Sequence, residues 1–356
     1  MVVIDRLVAA LLDSDVPLER GPLTAAAGRL LVEEAPLAPE SIVESVVDAL
    51  IGLGPLEALL RDPEVSDVLV NGSGQVWIER AGTLRATRVR FSSPHDVTGA
   101  VERVIAPLGL RLDHASPFVD ARLPDGSRLH AAIPPVSVDG PIVAVRRFTE
   151  AVGDLGALVA SGGVSAPGAA ILETVVEERR NLVISGGTGS GKTTLLNVLS
   201  KEIPPTERVV TVEDAAELRL AGHVVRLEAR PANAEGRGAV TLRELVRNAL
   251  RLRPDRIVVG EVRGPEALEM IQAISTGHDG SMSTVHANSP AEAMLRLETL
   301  ALSGASSVSE GALRRQLWAA LDYVVHVERR GGRRLIRSIA EVGDTTTREV
   351  YACPSS

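Results

Sequence analysis

Aromatic residues are scarce in this chain: three Phe, two Trp and two Tyr among 356 residues, 2% of the whole. So few rings leave almost nothing on which nucleobases can stack, which argues against a single-stranded nucleic-acid platform. The cores must be built from Leu, Val, Ile and Ala, and an apolar content of 45% is ample for two globular domains. Cysteine is nearly missing as well. Cys353 stands alone, so there is neither a disulfide framework nor a cysteine metal cluster, and a reducing compartment is expected. Long apolar runs are lacking too. The longest uncharged stretch, Leu155 to Leu172, is interrupted by glycines, a proline and serines and reads as a linker with helix ends, not a membrane span. The first fifteen residues carry Asp5 and Arg6 before a brief apolar stretch and do not match a secretory signal. Any membrane connection is therefore expected to come through partners. A formal charge of −8 has the wrong sign for a protein that binds polyanions over its whole surface, although local basic patches stay open. Among the 38 basic residues only Lys192 and Lys201 are lysines.

The texture of the chain changes along its length. Residues 1–50 show helical apolar spacing (Leu7, Leu11, Leu12; Ile42, Val46, Leu50) broken by Pro17, Gly21, Pro22, Pro36 and Pro39, and predict short helices on flexible joints. From 51 to 148, short strand-like runs surround one helical stretch from Val97 to Leu108, with turns at Asn71-Gly72 and Asp125-Gly126, which predicts a smaller α+β domain. Residues 149–170, rich in Gly, Ala and Ser, read as a linker. From 171 to 343, apolar strands alternate with helical runs: Leu182–Ser185, Val209–Val212, Ile257–Val259 and Met282–Val285. Such alternation predicts an α/β fold with a mostly parallel sheet and function at the carboxyl ends of its strands. Gly331-Gly332 predicts a hairpin, residues 344–356 read as a tail, and no repeat of fixed period is present.

Residues 186–193 read Gly186-Gly187-Thr188-Gly189-Ser190-Gly191-Lys192-Thr193, followed by Thr194. This G-x-x-x-x-G-K-[ST] pattern lies between a short apolar strand and a helical run, where a phosphate loop needs to be. Glycines let the backbone turn its N–H groups inward, and the helix N-terminus adds its dipole. Lys192 would reach the β and γ phosphates of ATP, and Thr193 would hold Mg²⁺. A chain that almost never uses lysine has one here, where a compact ammonium suits phosphate. Neither lysine lies in the [NT]-K-x-D pattern of guanine-specific proteins, so ATP is preferred over GTP.

Hydrolysis needs a group that positions water and one that serves the metal. The strand Val209–Val212 ends at Glu213-Asp214, and Ile257–Val259 ends at Gly260-Glu261. Parallel strands would bring both glutamates toward the loop. A hydrophobic strand ending in Asp-Glu is the usual arrangement, and this one ends in Gly-Glu, so Glu261 is expected to contact Mg²⁺ through water rather than directly. His278 and His286 flank a strand of small residues; a role sensing phosphate and one as ordinary core histidines both stand open. The two are eight positions apart with no cysteine or His-Glu partner, so zinc is disfavoured.

These residues carry a resemblance. Gly186 to Thr193, Thr211-Val212-Glu213-Asp214, Arg253 to Gly264 and Thr276 to Ala287 resemble, in this order, the motifs of the type II/IV secretion ATPase superfamily, and most of all its Tad-type (CpaF-like) pilus-assembly ATPases. The likeness extends over about residues 50–343. It implies a RecA-like P-loop motor domain preceded by a PAS-like domain. It also implies a homo-hexamer with ATP bound between the two domains, in the cytoplasm at the inner face of the membrane, driving an inner-membrane platform protein. Glu213 resembles the family's water-activating acid and Glu261 its Walker B glutamate. Arginines of the N-terminal domain contribute to the site in that family; the matching positions are Arg122 and Arg128, which would act on the reaction, and Arg146 and Arg147, which would act on the nucleotide. An ABC-type reading of Leu302-Ser303-Gly304-Ala305-Ser306 fails on order, because that signature should precede the Walker B strand. A conjugative or other nucleic-acid motor is the alternative, with Arg247, Arg251, Arg253 and Arg256 as a basic strip, and acidic charge and few aromatics against it.

Overall fold

A computed structural model describes residues 2–72, 74–80, 82–147, 153–232, 236–305 and 308–353. Two compact units divide the chain, residues 1–149 with 233–235, and residues 150–232 with 236–356. The joint expected near 149, together with Phe148, Ser306 and the last three residues of the expected tail, falls outside the described residues.

Three helices open the first unit: Val2–Leu12, Arg20–Glu34 and Ser41–Ile51. Leu7, Leu11, Leu23, Ala27, Val46 and Val47 form a shared core among them, so this segment is a packed cluster and not a set of loose joints. Asp48, buried on the third helix, accepts from Arg20 and from both terminal nitrogens of Arg61, which ties the cluster to the chain that follows. Six strands come next, β1 Val65–Asn71, β2 Gln75–Arg80, β3 Thr83–Arg90, β4 Phe118–Arg122, β5 Arg128–Ala132 and β6 Ile142–Arg146. They form one sheet in the order β3-β2-β1-β6-β5-β4, antiparallel throughout. Strand side chains alternate between faces. Val119, Ala121, Leu129, Ala131, Val143 and Val145 therefore share one face, in a common core with Val97, Ala100, Val101 and Ile105 of the helix Pro94–Ile105. Ser93 caps that helix by accepting from Asp96 N.

Eight strands build the second unit: β7 Leu182–Gly186, β8 Arg208–Glu213, β9 His223–Glu228, β10 Arg256–Val262, β11 Met282–Val285, β12 Tyr323–Arg330, β13 Arg333–Val342 and β14 Thr347–Ala352. Their order is β14-β13-β12-β7-β11-β10-β8-β9. Strands β12 through β9 pair in parallel, and β13 and β14 add antiparallel. The sheet is mixed, its parallel part apolar on both faces, as strands covered by helices on two sides require. Val210, Val212, Ile257 and Val259 pack with the helices Leu242–Ala249, Glu266–Ile274 and Pro290–Gly304. Val209, Val258, Met282 and Ile184 pack on the other face with Ala166–Glu177 and Lys192–Lys201.

Two stretches differ from the sequence reading. Within the expected linker, Leu155–Ala160 is a helix capped by Asp154, and Ser165 caps a second that continues to Glu177; Leu155, Leu158 and Val164 are buried in the core of the second unit. The composition was that of a linker, but the apolar residues at helical spacing find a sheet face to cover. Within the expected tail, β14 pairs with β13 over Thr347–Ala352.

Candidate functional site

Strand β7 is buried along its whole length and ends at Gly186, where the chain turns into the loop 187–191 and the helix Lys192–Lys201. Gly189 and Gly191 hold φ of 69° and 101°, conformations strained for any side chain. Ser190 is buried and donates its hydroxyl to Gly187 O at 2.8 Å. Lys192 is buried, and its ammonium donates to Gly186 O and Gly187 O, both at 3.0 Å. Burial lowers its pKa, partly offset by the Glu261 carboxylate, with Arg263 acting in the lowering direction. Thr188 is exposed, and Thr193 and Thr194 are half-buried on the first turn of the helix. Arg334 at the start of β13, not singled out by the sequence reading, donates Nε to Gly189 O at 3.3 Å and packs against Gly191.

Glu213 ends β8 and is 2% exposed. One carboxylate oxygen accepts from Glu217 N and Leu218 N, both at 2.9 Å, and the other has no hydrogen-bond partner among the described residues. Burial pushes its pKa up to about 7, against the pull of the two backbone N–H groups and of Arg226. Gly260, on the adjacent β10, explains the departure from the Asp-Glu pattern. A Cβ at that position would stand 2.9 Å from Glu213 Cγ, so the space an aspartate needs is filled by Glu213. Thr284 on β11 donates to Gly260 O at 2.8 Å and joins the strand ends.

Glu261 is partly exposed and paired with Arg263, whose Nε lies 2.8 Å from Glu261 Oε2. His286 follows the last residue of β11 directly and is exposed. Because β7, β11, β10 and β8 are parallel neighbours, the loop, His286, Glu261 and Glu213 all stand at one end of the sheet. His278 does not. It precedes β11, with Nδ1 3.0 Å from Ala273 O, and Leu182 at the start of β7 donates to the nearby Ser281 O. It therefore lies at the amino ends of the strands, and its expected place beside the phosphate loop is not realised within the chain.

The arginines of the first unit divide. Arg122 pairs in register with Arg128, and Arg128 with Arg146, so three arginines occupy one row across β4, β5 and β6. The next position in the row is Asp67 on β1, 3.7 Å from Arg146. Alternation sets this row on the face opposite the helix-covered core. Arg147 points otherwise: its guanidinium donates to Val65 O at 3.0 Å and to Asp62 O, and its N–H to Ser66 O at 2.8 Å. It braces the turn before β1, which corrects its expected nucleotide role. The supposed basic strip is also broken up. Arg256 is 1% exposed and paired with Glu207 at 2.7 Å, and Arg247 is paired with Glu269 at 2.6 Å.

The residues fit ATP and Mg²⁺. A buried ammonium, a glycine loop opening onto a helix N-terminus and an unpartnered buried carboxylate oxygen suit a polyphosphate and an attacking water. The available donors near the loop, a threonine hydroxyl and a carboxylate, are the hard oxygens magnesium takes. Among the described residues no three His, Cys, Asp or Glu side chains gather as a metal cage.

Fold and strand-end chemistry define the class, an α/β protein with a phosphate-type loop and carboxylates at the carboxyl ends of a largely parallel sheet. The chain belongs to the Type II/IV secretion system protein family, whose pattern matches residues 49–345. It is 44% identical over 299 residues to a putative conjugal transfer protein of Mycobacterium tuberculosis (strain ATCC 25618 / H37Rv), covering 82% of this chain and 84% of that one. It is 33% identical over 326 residues to the type IV secretion system protein PtlH of Bordetella pertussis, covering 82% and 93%. Among solved structures, the Legionella pneumophila ATPase DotB aligns with a TM-score of 0.56 at 21% identity, over 80% of this chain and 78% of that one. Among the described residues, no helix is long and apolar enough to cross a membrane.

Proposed function

We propose that this chain is a P-loop ATPase that hydrolyses ATP to power pilus assembly or protein secretion. The strand order β12-β7-β11-β10-β8 supports a RecA-like motor, and the antiparallel sheet with one covering helix supports a PAS-like first domain. The observation that carries the reading is Glu213, a buried carboxylate with one free oxygen and a pKa of about 7, at the same sheet end as the glycine loop. A base with that pKa accepts a proton at neutral pH and is poised to orient water. Lys192 binds the β and γ phosphates through its ammonium, and loop N–H groups bind the remaining oxygens. Thr193 and Glu261 would hold Mg²⁺, Glu261 through water; the ion, when bound, neutralises charge on the phosphates. Arg122, Arg128 and Arg146 stabilise charge on the transferring phosphoryl group, and His286 senses the γ-phosphate or the neighbouring carboxylates. The working form is a homo-hexamer in the cytoplasm, held at the inner face of the membrane by a platform protein.

Lys192→Ala is expected to weaken nucleotide binding about 10- to 100-fold, the value of charge-assisted bonds to phosphate, and to abolish turnover. Near-normal hydrolysis at ring-forming concentration would sink the site assignment.

Conjugation is the second reading, favoured by the name of the Mycobacterium tuberculosis relative. The ion-paired Arg247 and Arg256 and the 2% aromatic content leave DNA little to bind. Turnover stimulated by added DNA would favour it over pilus assembly or protein secretion.

A further inference from the structure

Arg263 has no assigned role, yet it joins the two acidic strand ends. Its Nε and Nη2 both donate to Oε2 of Glu261, the Nε at 2.8 Å, while Nη1 lies 3.7 Å from Oδ2 of Asp214, the residue after Glu213. Glu261 lies near the end of β10, and Arg263 directly follows its last residue. The turn that carries Arg263 is locked: Glu266, 5% exposed, accepts from Arg263 N and Gly264 N at 2.7 Å each. A Cβ on Gly264 would meet Glu266 Oε2 at 3.0 Å, so the turn has little room to change. The Arg263 side chain itself is 58% exposed, and exposed ion pairs contribute little to stability. Such careful anchoring of a pair worth so little to folding calls for another purpose. The Lys192 ammonium feels both Glu261 and Arg263, so the pair lies within electrostatic reach of the phosphate loop.

We propose that Arg263 is a positioning residue that pins Oε2 of Glu261, fixes the other oxygen for the metal's coordination shell, and ties that carboxylate to the β8 end at Asp214. Among the described residues Glu261 Oε1 makes no hydrogen bond, which leaves it to a hydrated cation. The inference rests on the P-loop reading. Glu261 is set by two N–H groups on one oxygen, a grip that lysine, a single point donor, cannot reproduce.

The test is equilibrium binding of mant-ATPγS to the full chain, titrated with Mg²⁺ and repeated in EDTA, with no turnover required. Arg263→Ala is expected to lose about tenfold of the Mg²⁺-dependent gain in affinity, the value of one charge-assisted contact, and to keep its EDTA affinity and thermal midpoint. Arg263→Lys is expected to recover only part of the gain. Glu261→Gln should show the same loss, and the double variant no more than either single one, because the two act as a unit. An unchanged Mg²⁺ gain in Arg263→Ala, or losses that add in the double variant, would overturn the proposal. Lys192→Ala separates the two failures: if that variant binds mant-ATPγS like the parent chain, the P-loop reading falls and the positioning role with it.

Discussion

The two units each hold a distinct arrangement of arginines. In the second unit, a set of arginines meets carboxylates: Arg256 with Glu207, Arg243 and Arg247 with Glu269, Arg263 with Glu261, Arg314 with Glu298. In the first unit, Arg122, Arg128 and Arg146 stand directly across from one another on three neighbouring strands, with Asp67 at one end of the row. Like charges opposite each other in an antiparallel sheet destabilise it. In the function proposed above the row serves the transferring phosphoryl group, whereas the carboxylate-paired arginines of the second unit hold the architecture. The same contrast separates neighbours in one strand run, since Arg146 belongs to the row and Arg147 braces backbone carbonyls.

The comparison can be broken at several points. Glu213→Gln should cost the most, about 10²- to 10⁴-fold in turnover with nucleotide binding kept, as expected for a lost general base; phosphate release and mant-nucleotide binding measured side by side check this. Its stability effect has a definite sign. Because burial raises the folded pKa from 4.5 to about 7, the folded chain keeps a proton that the unfolded chain has lost between those values. Stability is thus fullest below pH 4.5, falls as pH rises through that window and levels off above about 7, a loss on the order of 3 kcal/mol that the glutamine variant should not show in denaturant titrations. Arg128→Ala should come next, lowering turnover about 100-fold, the cost of one transition-state donor. If ATP binding fell more than turnover, the row would have another purpose. Arg147→Ala should give the smallest effect on chemistry and the opposite signature, a loss of about 1–3 kcal/mol in thermal or denaturant unfolding with turnover per folded chain retained.

Much of the second unit was legible because its signals are local. The glycine spacing, the four apolar strand runs and the acidic strand ends each lie within a dozen residues, and all four runs meet in one sheet. What was not legible depends on which strands become neighbours. His278 and His286 looked like one pair by spacing, but a four-residue strand sends them to opposite ends of the sheet. Arg263 and Arg334 escaped notice because Asp214 and the Gly189 carbonyl reach them only after β8 settles beside β10 and the β12–β13 hairpin beside β7. The helices at 155–177 were hidden by a composition that suits linkers, although their caps, Asp154 and Ser165, were there to be read. For the first unit, the arginine row required the register of three strands, which no spacing along the chain reveals.

The central claim is that Glu213 is the base of an ATP site at this sheet end, and single-turnover ATP cleavage against pH tests it most directly. The parent chain should show a rate that climbs as pH passes about 7, the value to which burial raises this carboxylate, and Glu213→Gln should be slow and flat across the same range. A glutamine variant that keeps the parent rate and its pH dependence would contradict the account.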